Sequence, residues 1–186
     1  MKRRIMIMAM ACVLAMPGIA LAESKEEARE EVREKAQEVL AALYAVQPSA
    51  RAAVESAAGY AAFSNFGMKI LVAGGGSGVG IAVNNKTRAT TYMKMAEVQA
   101  GLGFGVKKFK LVWVFEDEAA LNRFINSGWE LGAQATASAK VGDTGVSYQG
   151  AMSVSPGVWL YQLSGDSLAL ELTAKGTKYY KDGDLN

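Results

Sequence analysis

Apolar residues between Ser24 and Val46 recur at steps of three and four: Ala28, Val32, Ala36, Val39, Leu40 and Leu43. That spacing lines one side of a helix, so the segment is expected to form one amphipathic helix. Ser24 with Glu27 has the spacing of a capping box, and Glu31 and Lys35 stand one turn apart on the polar side. Pro48 ends the segment. Ser49 opens a shorter helix, expected from Ala50 to Ala58 and stopped by Gly59.

From Tyr60 the period falls to two. Ala61-Ala62-Phe63 reads as strand, Asn65-Phe66-Gly67 as a turn, and Lys69 to Ala73 as a short apolar strand. The last runs into Gly74-Gly75-Gly76-Ser77-Gly78-Val79-Gly80 and then Ile81-Ala82-Val83. Asn84-Asn85 reads as the next turn, Lys86 or Thr87 as the start of a strand, and Arg88 to Met95 as half-exposed strand. Gly101, Gly103 and Gly105 alternate with Leu102, Phe104 and Val106, which in a strand puts the glycines on one face and the apolar side chains on the other. Lys108 and Lys110 share a face with Val112 and Val114, whereas Phe109, Leu111, Trp113 and Phe115 form the other. Because its end is apolar on both faces, this segment is expected to be a central strand.

Asp117 is placed to cap a helix from Glu118 to Asn126, with Ala120, Leu121, Phe124 and Ile125 inward and Gly128 as its stop. Strands and turns resume at Trp129. Breaks fall at Gly142-Asp143, Ser155-Pro156-Gly157, Gly165-Asp166, Lys175-Gly176 and Asp182-Gly183. Leu168, Leu170 and Leu172 alternate with Ala169, Glu171 and Thr173, as in a strand buried on one side. The expected fold is therefore α+β: N-terminal helices, then an antiparallel glycine-rich sheet with one inserted helix, which clustered glycines allow to curl into a barrel. No linker divides the chain and no fixed-period repeat is present.

The chain's start changes where this domain is expected to work. Lys2, Arg3 and Arg4 precede an apolar run from Ile5 to Leu21 that Pro17-Gly18 interrupts, and Ala20-Leu21-Ala22 then offers small residues at the two positions a signal peptidase reads. Residues 1–22 are expected to be a cleaved export signal, residues 23–50 the amphipathic helix, and residues 51–186 the binding domain. The run is too short and broken for a membrane anchor. Cys12, the one cysteine among 186 residues, follows Ala9-Met10-Ala11, a poor lipidation site because another apolar stretch comes after it. The expected location is the periplasm or the exterior, with the protein soluble or peripheral on a membrane.

Loss of the signal removes three basic residues, leaving 17 Lys and Arg against 18 Asp and Glu. Near neutrality argues against general nucleic-acid binding. The chain has no histidine, and without Cys12 it has no thiol. Histidine bases, Ser-His-Asp and Cys-His nucleophiles, and zinc sites built on His or Cys are all excluded. Carboxylate, lysine or tyrosine catalysis stays open, but no acidic pair stands out. The glycine run does not fit a phosphate loop. No Gly-Lys-Ser/Thr follows Gly78 or Gly80, and a dinucleotide fingerprint fails at its third glycine, which is Val79, Ile81, Val83 or Val106 in the four possible registers. The glycines either let strands pack closely or leave room for an apolar ligand. Lys107, Lys108 and Lys110 either form a solvated strand end or meet the phosphate of a lipid headgroup.

An ordered series of motifs resembles the SYLF domain family, also called the Ysc84 actin-binding domain family. It comprises Ala57-Ala58-Gly59-Tyr60-Ala61-Ala62-Phe63, the run Gly74 to Val83, Gly101-Leu102-Gly103-Phe104-Gly105, Leu111-Val112-Trp113-Val114-Phe115, Leu121 to Phe124, Gly128 and Leu131-Gly132-Ala133. The series covers Arg51 to the C-terminus. It departs from the family at Ser64, where a proline is usual, and matches loosely from Gly157 to Asn186. The resemblance implies lipid binding, with phosphoinositide and actin binding in eukaryotic members; an exported protein would meet neither actin nor cytosolic phosphoinositides. The expectation is a non-enzymatic protein without cofactor or metal that binds phospholipid or a membrane surface. Lys69, Gly74, Gly76, Gly78, Gly101, Gly103, Gly105, Lys107, Lys108 and Lys110 are its candidate contacts. A structural or protein-interaction module with an envelope protein partner is the alternative. A carboxylate hydrolase and an outer-membrane barrel fit less well, the latter because a charged helix comes first and ten-residue alternation is absent.

Overall fold

A computed structural model describes residues 17–70, 73–100, 105–131, 140–141, 148–165, 167–169 and 176–186. Helix α1 spans Pro17–Val46 and α2 spans Ala50–Ser56. Four long strands follow: β1 Gly59–Ile70, β2 Ala73–Asn84, β3 Thr90–Ala100 and β4 Gly105–Phe115. Helix α3, Glu118–Ser127, precedes β5 Trp129–Leu131, β6 Lys140–Val141, β7 Met152–Ser155, β8 Val158–Ser164, β9 Ser167–Leu168 and β10 Thr177–Lys181. The strands join antiparallel in the order β5-β10-β3-β2-β1-β4-β8-β7-β6, with β9 on β8. The fold is α+β, as its patterning requires, and the sheet curls into a half-barrel.

The sheet buries both faces, each under a helix. On the inner face, Phe63, Met93, Met95, Leu111, Trp113, Leu160 and Tyr179 close around Ala120, Leu121 and Phe124 of α3. Aromatic rings fill this core: Trp113 lies 5.1 Å from Tyr179 and 5.3 Å from Phe124, centroid to centroid. Asp117 caps α3 as expected, its Oδ1 accepting from Ala120 N at 2.7 Å, and Gly128 leaves the helix at φ 71°. On the outer face, Val32, Ala36, Val39 and Leu43 of α1 lie on Ala62, Ile81, Tyr92, Val112 and Tyr161. The C-terminal residues and β3 hold the first half of α1 down: Arg29 Nε donates to Leu185 O at 2.7 Å, and Arg33 donates to the Tyr92 hydroxyl.

Three local expectations change. Asn65-Phe66-Gly67 is not a turn but the middle of β1, where Asn65 pairs with Gly78 on one side and Phe109 on the other. Two ladder partners outweigh the turn preference of Asn and Gly, and the Asn65 side chain points inside, where its Nδ2 donates to Glu97 at 2.8 Å. The reversal falls instead between Ile70 and Ala73, which pair directly, within the stretch expected to be one strand. Helix α1 begins at Pro17, so Ser24 lies inside it rather than capping it. Residues 1–16 (with Cys12), Gly101, Gly103, Leu170 and Leu172 lie outside the described residues.

Candidate functional site

At one edge of the molecule the glycine-rich start of β2 lies beside the ends of β1 and β3, with the start of β4 next to β1. Their register makes continuous rows across β3, β2, β1 and β4. Val98 aligns with Gly75, Met68 and Val106; Ala96 with Ser77, Phe66 and Lys108; Lys94 with Val79, Ser64 and Lys110. The next row with the same alternation is Tyr92, Ile81, Ala62 and Val112, which α1 covers. Same-face rows lie about 7 Å apart, twice the rise of a strand residue. The outer face thus passes from an exposed apolar end, where Val98 keeps 69% of its surface, through lysines to the buried seat of α1.

Between α1 and that end lies an open groove of about 450 Å³, lined by Lys35 of α1 and by Ser64, Ser77, Lys94, Lys108 and Tyr180. Three of these are cations. Lys35 pairs with Glu31 at 2.6 Å. Lys94 pairs with Asp182 at 2.9 Å and Asp184 at 3.0 Å, and these carboxylates hold its ammonium above the ordinary lysine range. Lys108 and, one row inward, Lys110 have no ion pair among the described residues, so their donors are available to an incoming anion.

Eight residues named from the sequence fall on this edge. Lys69 pairs with Gly74 and Gly105 at the tips, Gly76 and Lys107 share a row through Gly67, and Gly78 lies beside Asn65. The space beside Gly78 is not open: a Cβ there would stand 2.7 Å from both Met95 Cγ and Ser64 O. Gly78 therefore serves packing on the inner face and meets the groove through its backbone. Lys35, Lys94 and Tyr180 escaped sequence reasoning. They are remote in the chain, and only strand register and helix docking bring them beside Lys108.

The inner face of the same end is unlike the rest of the core. Asn65, Glu97, Gln162 and Thr177 are buried there around a void of about 10 Å³. Asp182, the other buried acid among the described residues, pairs with Lys94 on the outer face. The two carboxylates thus have separate surroundings. Among the described residues no helix is long and apolar enough to cross a membrane.

Against known proteins, the chain is 33% identical over 145 residues to Beta cell expansion factor A of Aeromonas veronii, an alignment that takes in 77% of this chain and 53% of that protein. No family model matches. The chain therefore spans about half the length of the curated relative it resembles.

Proposed function

We propose that this is an exported, non-enzymatic SYLF-type protein that associates with phospholipid at a membrane surface through the glycine-rich end of its sheet. One observation carries the reading: the row order on the outer face. An amphiphile presents apolar chains and a charged headgroup in sequence, and this face presents exposed Val98 and then Lys108 and Lys110 in the same sequence. The ordered glycine motifs and the similarity to the Aeromonas protein support the SYLF assignment. The leader-like start supports action in the periplasm or outside the cell.

Flotation with vesicles of phosphatidylglycerol and phosphatidylethanolamine tests the proposal. The chain lacking residues 1–22 is expected to float with them. A lysine near an anionic surface contributes about 1 kcal/mol, so Lys108→Gln with Lys110→Gln is expected to weaken association by roughly thirtyfold at low salt. No association with any phospholipid mixture, and no lipid carried through purification, would end the reading in favour of a protein-interaction module.

A further inference from the structure

A second cavity lies at the opposite end of the long strands. It holds about 400 Å³ between the C-terminal end of α1, α2, the start of β1 and the turn from β2 to β3. Its walls include Tyr44, Arg51, Tyr60, Asn85 and Arg88, with Glu55 at the side. The volume is that of a small-molecule site. Four strand steps, about 13 Å, separate Tyr60 from Ser64, the nearest groove residue on β1, and the two linings share no residue among those described, so the lipid-facing groove and this cavity are distinct.

Several parts of the cavity are held in place. Asn85 Nδ2 donates to the carbonyls of Val54 and Ala57 at 2.7 and 2.9 Å, fixing the turn against α2. Asn84 Oδ1 accepts from Lys86 N and Thr87 N, and Arg88 N donates to Asn84 O at 2.8 Å. The Arg51 guanidinium sits 4.5 Å from the Tyr44 ring centroid, stacked as a cation on an aromatic face. Burial raises the Tyr44 hydroxyl to about 12 and moves that of Tyr60 upward as well, so both keep their protons and remain donors.

Arg88 is the unexpected member. Its φ of 61° makes it the one non-glycine residue at positive φ among those described. Glycine or asparagine takes that conformation with less strain, and a strained residue at a cavity is a mark of a functional constraint. The strained turn carries an exposed guanidinium at the mouth, with no ion pair among the described residues. Arg51, in contrast, is engaged by Glu55 at 3.6 Å.

We infer that this cavity binds a soluble, ring-sized phosphate ester, with Arg88 and Arg51 on the phosphate and the Tyr44 and Tyr60 rings flanking the ring. Both guanidiniums line this cavity, and their planar forks match an oxyanion better than lysines do. Tyrosine rings supply apolar faces with hydroxyl tips for a polar cyclic scaffold.

Titration calorimetry of the whole chain with glucose 6-phosphate, and with glucose as control, tests this. Saturable heat is expected from the phosphate ester and none from the sugar. Arg88→Gly is the decisive variant: it removes the cation and the backbone strain together. It is expected to weaken binding at least tenfold while leaving the melting temperature unchanged or higher. Glu55→Gln, which frees Arg51, is expected to tighten binding severalfold. Absence of saturable heat at millimolar ester, or equal affinity in Arg88→Gly and the parent chain, would overturn the inference. Neither result bears on vesicle flotation, so the two functions fail separately.

Discussion

Single atoms decide how much freedom the glycine run has. At Gly80 an added Cβ would collide with the carbonyl oxygen of Ala62 and approach Phe63 Cδ1 to 2.6 Å. The neighbouring strand backbone cannot yield cheaply, so Gly80→Ala is expected to cost about 1–3 kcal/mol, read as a lower midpoint in denaturant. Tyr161 makes the opposite case. It is fully buried between sheet and helix, and its hydroxyl has no hydrogen-bond partner among the described atoms. Removing an unsatisfied polar atom is close to neutral or favourable, so Tyr161→Phe is expected to hold or raise stability by up to about 1 kcal/mol. The variant also has a pH signature. Burial pushes the Tyr161 hydroxyl up to about 12. A raised folded value means stability is complete below the unfolded tyrosine value of about 10 and is lost as pH rises from there toward about 12. Tyr161→Phe removes that part of the alkaline loss, which unfolding midpoints measured across this window would reveal.

Among the elements, α1 has the most to explain. Its charged face, rich in glutamate, makes local pairs such as Glu31 with Lys35, while Val32, Ala36, Val39 and Leu43 seal the outer face of the sheet. The helix is thus a wall of the domain, and its polar side forms one edge of the lysine groove through Lys35. Leu43 is completely buried. Leu43→Ala is expected to cost about 2–5 kcal/mol in chemical unfolding, the range for a cavity in a packed core. A cost under about 1 kcal/mol would show that the helix is only loosely seated. The fit of α3 is of the same kind on the other side, with Leu121 placed where Gly59 omits a side chain.

As a whole, the molecule sets its two candidate surfaces toward opposite ends of four long strands, with α1 and α3 packed on the two faces of the sheet. That division gives the lipid proposal a spatial signature. Hydrogen exchange with and without anionic vesicles is expected to show added protection near Val98, Lys108 and the strand ends about Ile70 and Ala73, and none at Arg51 or Arg88. Protection spread over α1 instead would mean that the helix leaves the sheet and lies on the bilayer. Added salt is expected to weaken the association, since the lysines act from an exposed face.

Much of this was readable from residues alone. Alternation along Phe109 to Phe115 assigned both faces of β4, and the 3.6-residue stripe of α1 named the side chains that dock, because burial on one side leaves a period in the chain. The Asp117 cap and the Gly128 stop were equally local. Strand register was not local, and it settled the rest. Asn65-Phe66-Gly67 carries turn chemistry yet lies in a central strand, because two neighbouring strands satisfy its backbone. Lys94 joins Lys108 through pairings across β2 and β1, and Arg88 lines one cavity with Tyr44 because its turn is tied to α2. Side-chain period is a property of one segment, whereas a site assembled from several segments depends on long-range contacts that no single stretch encodes.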